Sequence, residues 1–379
     1  MKTVTSIVRA IIPHICVCLA AAYLFASCAY LPKFNALDGI AASTFVDSLT
    51  GTGGSRLQPP PGTDAGIKLT YLGTSGFLIE RDTDVILLAP FLSHHSLTRL
   101  FLWRITPDDD LIDDVLRPMA TTLDRAAAVL VGHSHYDHLL DIRSVVNGFA
   151  PNATVFGNTT MVNILAADPG INAVSLATTA ERPPGGNGSW TPVNNGRVRF
   201  MAIQSHHAPN FAGLTIANRS VQRPLKRFPG KAGGMEEGET FAFMIDFMDT
   251  TSWDSTHNQY RQVAFRMYYQ DAAESPVPYH TLQFNPAGGG RNVDVAIACV
   301  AVFTGVQGDA YPETMKQIFS PRQTVLSHWE NFFRPRTTDF SRLRTVPNTD
   351  PVAFISRLAT SSPNTGIWVL PIPGTTLTY

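Results

Sequence analysis

Between Val129 and Ile142 the chain reads VLVGHSHYDHLLDI, and no other stretch restricts it so tightly. An apolar run gives way at once to His133, His135, Asp137 and His138, four potential lone-pair donors inside six positions. Side chains of this kind cannot all leave water unless each gains a hydrogen-bond partner or a metal ion. In an extended strand, positions 133, 135 and 137 would share one face; in a tight loop all four can converge. Either way, one short segment supplies about the four donors that a zinc ion takes. Imidazole and carboxylate ligands suit zinc, iron or manganese.

Two neighbouring ions would need more donors, and three later segments offer them. FMAIQSHHAPN brings His206 and His207, FRMYYQDAAES brings Asp271, and TVLSHWENFF brings His328. Each follows an apolar, strand-like run, as His133 does. Strands ending at one edge of a layered sheet would deliver all of them to one place, and loops on rigid scaffolds are where chemistry usually sits. Asp246 in FAFMIDF competes with Asp271, but Asp271 is better placed, since it follows a strand and precedes a loop of small residues. A closed structural zinc site would be expected to use cysteine. Of the four cysteines, Cys16, Cys18 and Cys28 lie in the first thirty residues. Cys299, in VDVAIACVAVF, is expected to be buried and inert.

From Ile67 onward short segments rich in Val, Ile and Phe alternate with short amphipathic ones. GFLIE and VILLAP flank a turn at Arg81–Asp84; RVRFMAIQS, FAFMIDF, VAFRMYYQD and QTVLSH read as strands. DIRSVVNGF, TTMVNILAAD and YPETMKQIF read as helices. With 28 glycines and 27 prolines, turns are many. Strands outnumber helices, which favours packed sheets with helices outside over a doubly wound nucleotide-binding sheet. No glycine-rich phosphate loop is present, and a net charge of −1 gives no field to attract nucleic acid, so no nucleic-acid partner is expected.

The first 28 residues have the design of an export signal: Lys2 and Arg9 precede a mostly apolar Ile11–Ala26. LFASC resembles a bacterial lipoprotein box with Phe25 where leucine is usual, so Cys28 is expected to be acylated. Ala29 carries no acidic retention signal, which favours the outer membrane within the bacterial cell envelope. Residues 29–65, with LTGTGGS and QPPPGTDAG, read as a flexible tether. The remaining domain is expected to span 66–379.

HSHYDH is similar to the His-x-His-x-Asp-His signature of the metallo-β-lactamase-fold hydrolases, and the later His, Asp and His occur in that family's order. HYDHLLD and SHWENFF resemble the branch holding N-acyl-phosphatidylethanolamine phospholipase D and the ascorbate-phosphate lactonases. The resemblance implies an α/β fold, a four-layer αββα sandwich. It implies two divalent metal ions, zinc first, with iron or manganese as alternatives. His133, His135 and His207 would bind one, Asp137, His138 and His328 the other, and Asp271 would bridge them. A hydroxide shared by the ions would cleave an ester, lactone or phosphodiester bond, with Asp137 doubling as a catalytic proton shuttle.

The family usually carries an Asp-Pro pair where this chain has Ala89-Pro90. That Asp ordinarily supports the histidine loop. His94 and His95 just beyond read as loop histidines or as part of the cleft. Arg219, Arg223, Lys226, Arg227 and Lys231 follow the third motif, either as solvated charges or as binders of a substrate phosphate or carboxylate. A small-molecule or lipid-like substrate fits the membrane anchor. The other reading of the chain is a cell-envelope binding protein with an inert metal site.

Overall fold

The computed structural model describes residues 65–182, 188–209, 216–275, 292–306, 310–336, 344–347, 349–360 and 367–379. The expected signal peptide, Cys28 and all of the expected tether except residue 65 lie outside the described residues.

Short apolar runs, most of them buried on both faces, build two seven-stranded sheets. The first contains β1 (Ile67–Gly73), β2 (Gly76–Arg81), β3 (Asp84–Leu88), β4 (Ala126–Leu130), β5 (Thr154–Gly157) and β6 (Ala173–Ser175). The second contains β7 (Thr191–Val193), β8 (Val198–Ser205) and β9 (Thr240–Met248). It continues, past a small hairpin of β10 (Trp253–Asp254) and β11 (Gln259–Tyr260), with β12 (Val263–Gln270), β13 (Val295–Cys299), β14 (Gln323–Ser327) and β15 (Ile367–Val369). The last strand, β16 (Thr376–Thr378), returns to the first sheet beside β1.

The long strand β9 feeds two cores. In β9, Phe241, Phe243, Ile245 and Phe247 meet Ile67, Leu69, Phe77 and Ile79 of the first sheet in a fully buried layer between the sheets. Ala242 and Met244, one position out of phase, face the opposite side with Met315, Ile318 and Phe354. Truncating any of the buried phenylalanines to Ala would cost about 3–5 kcal/mol in lost transfer energy and cavity formation.

Helices close the outer faces. Over the first sheet lie α1 (Leu97–Leu102), α2 (Asp109–Leu116), α3 (Ala120–Leu123), α4 (Tyr136–Leu139), α5 (Ile142–Phe149) and α6 (Thr159–Leu165). Over the second lie α7 (Glu313–Phe319) and α8 (Pro351–Thr360). Their starts follow local chemistry: the side chains of Asp108 and Asn158 accept the backbone N–H groups of Leu111 (3.2 Å) and Met161 (2.7 Å) and so cap α2 and α6. The order helix, sheet, sheet, helix is the expected four-layer αββα sandwich.

Strand direction positions the site. β12, β13 and β14 run parallel; β9 is antiparallel to β12 and β8 is antiparallel to β9. β8, β12 and β14 therefore point the same way, and their carboxyl ends emerge on one edge. The end of β4 in the other sheet is tied to that edge by the Phe241 N–H, which donates to the Gly132 carbonyl at 2.8 Å.

Candidate metal centre

His133 follows β4 by three residues, His207 follows β8 by two, and Asp271 and His328 directly follow β12 and β14. All four meet at the shared edge. The strand alternative for the 133–138 segment is overturned: His133 and His135 lie in a loop, and Asp137 and His138 sit on the single turn of α4. The reason is backbone pairing, since the Leu139 and Leu140 N–H groups donate to the His135 and Tyr136 carbonyls instead of to a neighbouring strand.

Three overlapping donor groups result, the donor atoms within each lying within 4.8 Å of one another: His133, His135 and His207; His133, His138 and Asp271; and Asp137, His138 and His328. Asp271 joins the first and last. Its Oδ1 is 3.1 Å from His133 Nδ1 and its Oδ2 3.5 Å from His138 Nδ1. Asp137 Oδ2 lies 3.2 Å from His328 Nε2 and 3.6 Å from His138 Nε2. His207 is half-buried, with its ring 4.8 Å from that of His133, whereas His206 is exposed.

Burial drives His133, His135 and His138 well below the ordinary histidine pKa, so their rings are neutral with lone pairs available. His133 Nε2, His135 Nε2 and both ring nitrogens of His138 are buried without a hydrogen-bond partner. Each such orphan costs about 1–3 kcal/mol. A neutral, partnerless imidazole nitrogen is the form that binds a metal, and this donor set fits one. Burial pushes the Asp137 carboxyl up, but His138 and His328 beside it outweigh that and hold it below its ordinary range. Burial raises Asp271.

Several residues that hold this arrangement gave no motif. Asp271 Oδ2 also accepts the Gly132 N–H at 2.8 Å, which locks the entry to the histidine loop. Ser134 donates to Asn158 Oδ1 at 2.8 Å and Asn158 Nδ2 to the Glu237 carbonyl at 2.9 Å. Thr74, between β1 and β2, accepts the His328 N–H at 2.5 Å while its own N–H donates to Glu330. His328 and Thr74 both have left-handed φ, 59° and 54°, a strained conformation that this pairing maintains.

Other candidates fall elsewhere. Asp246 is fully buried in the middle of β9, on the outer face of its sheet, where Arg266 and Arg199 pair with it at 2.6 and 2.9 Å; it stands outside the donor groups. His94 stacks on Phe91 at 5.9 Å and His95 Nε2 bonds with the Thr106 carbonyl at 2.9 Å, so neither joins the donors. Ala89 is buried with its N–H donating to the Leu130 carbonyl at 2.9 Å. The segment beyond it is anchored from the helix side, by Asp141 Oδ2, which accepts the N–H groups of Leu92 (2.6 Å) and Ser93 (2.8 Å). Cys299 is buried, and burial raises its thiol pKa, in keeping with an inert role.

Residues 110–264 match the family model described as "Beta-lactamase superfamily domain"; the match takes in the histidine loop and His207 and ends before Asp271 and His328. No curated protein matches the chain. Among solved structures it is similar to Igni18, a novel metallo hydrolase from Ignicoccus hospitalis, at 14% identity over 83% of this chain and 98% of that one, with a TM-score of 0.47. It is also similar to a possible metal-dependent hydrolase from Veillonella parvula, at 12% identity over 82% and 99%, with a TM-score of 0.46. An isothiocyanate hydrolase from Delia radicum gut bacteria gives 12% identity over 82% and 99%, with a TM-score of 0.44. The layer order described above and the family match give the metallo-β-lactamase fold.

Proposed function

We propose that the chain is a hydrolase that works with two divalent metal ions, zinc foremost. One ion would be held by His133, His135 and His207, the other by Asp137, His138 and His328, with Asp271 between them. The observation that carries this reading is the set of buried, neutral, partnerless imidazole nitrogens at the centre of three overlapping donor groups. When bound, two such ions supply Lewis acidity toward a carbonyl or phosphoryl oxygen and a source of hydroxide at neutral pH.

The chain's own residues do the rest. Asp271 fixes His133 and the Gly132 backbone in one geometry, so the donors do not reorganise during turnover. Asp137 turns Oδ2 toward His328 and His138. Its second oxygen is left to take a proton from water and return it to the leaving group. Being held below the ordinary carboxylate range by His138 and His328, Asp137 is ionised at neutral pH. The bond cleaved is an ester, lactone or phosphodiester. A lipid-like substrate suits a protein exported by residues 1–28 and anchored through Cys28 in the cell envelope, the outer membrane in particular. The resemblance of HYDHLLD and SHWENFF to the phospholipase D and lactonase branch supports that choice.

The test replaces His135 and Asp137 singly by Ala and measures metal content and turnover of a generic phosphodiester and a lactone. The expected result is loss of bound metal and a fall in turnover of at least 100-fold. Unchanged turnover overturns the proposal. Metal retained in a wild-type protein inert to every ester, lactone and phosphodiester tried favours the binding-protein reading instead. Mass spectrometry of the mature N-terminus checks the anchor, with an acylated Cys28 expected.

A further inference from the structure

Six large apolar side chains are prominently exposed among the described residues, and three are consecutive: Phe101 at 49%, Leu102 at 62% and Trp103 at 57%. They form the end and cap of α1, which buries Leu100 in the core and packs the partly buried Leu97 against it. Leaving a Phe-Leu-Trp tip in water is unfavourable, and contiguous apolar exposure is a feature of interaction sites.

The neighbourhood says what covers it. α1 packs against the Ala232–Gly234 turn, and the Ile105 N–H donates to the Gly230 carbonyl at 3.0 Å. This puts α1 against residues 230–234, the end of a segment that carries the exposed Arg223, Lys226, Arg227 and Lys231 and that runs on along α6, where the Leu225 N–H donates to the Asn163 carbonyl at 2.8 Å. Arg99 and Arg104, flanking the tip, are exposed as well. No ion pair engages these six cations among the described residues. The carboxylates nearest the tip in the chain are Asp108, the cap of α2, and Asp109 and Asp110 in its first turn; those nearest the basic segment are Glu236 and Glu237, and Glu236 Oε2 accepts the Arg219 backbone N–H at 3.0 Å. The same segment reaches the metal centre, since the backbone of Ala217 lies beside His135 and the Ser134 N–H donates to the Glu237 carbonyl at 3.0 Å.

An aromatic and aliphatic tip flanked by Arg99 and Arg104, on a helix packed at the end of a basic segment, matches an anionic lipid surface: the rings enter the headgroup boundary and the cations meet phosphates. Tryptophan favours that boundary because its ring is amphipathic. We propose that Phe101, Leu102 and Trp103, with the basic 219–231 segment, form a docking surface for an anionic bilayer. The inference stands apart from the hydrolase reading and from the N-terminal anchor. It gives the folded domain a membrane contact of its own, beside the pocket.

The experiment uses the full chain with vesicles of brominated phosphatidylglycerol, and a parallel set of brominated phosphatidylcholine. Attachment through the N-terminal segment is then common to every variant, and the readout is quenching of residue 103 itself. The wild type should show a quenched tryptophan component with phosphatidylglycerol that Trp103→Phe lacks and that Trp253→Phe, at another exposed tryptophan, retains. Reversing Arg223 and Arg227 to Glu should weaken this component, by roughly fivefold for each charge removed from contact. Circular dichroism confirms that each variant is folded. Quenching in Trp103→Phe equal to the wild type overturns the proposal, as does absence of quenching by phosphatidylglycerol. A Trp103 emission shift that grows with protein concentration without vesicles also overturns it, since a second copy then covers the tip.

Discussion

The carboxylate of Asp271 closes over the backbone of Gly132: Oδ2 accepts the Gly132 N–H at 2.8 Å while Oδ1 lies 3.1 Å from His133 Nδ1. A Cβ at position 132 would sit 2.2 Å from Asp271 Oδ1 and 2.5 Å from its Cγ, far inside contact distance. Asp271 is buried and cannot swing into solvent. Gly132→Ala should therefore displace the carboxylate, lower metal content and reduce turnover by at least 100-fold while circular dichroism shows a folded chain. Elemental analysis checks it; unchanged metal content contradicts the role given to Asp271.

The donor groups overlap but have different outer members, so single replacements should differ. His207→Ala should cost one metal equivalent from the His133–His135 side, and His328→Ala one from the Asp137–His138 side. Asp271→Ala should weaken both. Metal titration of the three variants reads this directly, and identical behaviour of all three would mean a single shared ion.

Asp246 makes the contrasting prediction. Arg266 and Arg199 satisfy it in the middle of a sheet, away from the donors. Asp246→Ala leaves a buried Arg266 without that partner and should cost about 3–5 kcal/mol in chemical unfolding. Metal stoichiometry of the folded fraction should stay at the wild-type value.

Asp141 carries a pH signature. Burial pushes its carboxyl up to about 6, although Leu92 and Ser93 donate to it. The unfolded chain releases that proton near 3.9. Between these values the unfolded state binds fewer protons than the folded one, so this group lowers stability as pH rises from about 4 to about 6. The span of about two units is worth about 3 kcal/mol. Asp141→Asn keeps an acceptor for the two N–H groups and removes the titration. Denaturant unfolding at pH 4.5 and 6.5 should show a smaller decline for the variant than for the wild type, and an equal decline would refute the assignment.

Much of this was legible in the chain because runs rich in Val, Ile and Phe mark the strands and the donor residues follow their ends. In FAFMIDF the alternation that makes β9 also puts Asp246 on the outer face, opposite Phe243 and Ile245. Asp271 could be preferred over it from position alone, since a residue just past a strand end is free to turn toward an edge. The His133, His207 and His328 positions followed the same rule. The shape of the 133–138 segment did not: strand and loop geometries both place donors together, and only the backbone bonds that make α4 decide between them.

What escaped the sequence lies in long-range pairing. Thr74 meets His328, Glu330 reaches Thr74, and Asp141 anchors Leu92 and Ser93 across dozens to hundreds of positions, with no local pattern to announce them. α1 was also unseen, because a six-residue helix with one buried side chain has almost no periodicity to detect. Its exposed Phe101–Trp103 tip looks like core in a linear reading and becomes informative only once burial is known.

One number bears on the whole scheme: the metal content of the full chain, purified without added chelator and measured by elemental analysis alongside protein concentration. Two equivalents of a divalent transition metal per chain, zinc foremost, with one lost in His328→Ala, is the expected result. A protein that is folded yet holds no transition metal, before and after incubation with zinc, would contradict it, and the buried imidazoles at the edge of the two sheets would need another explanation.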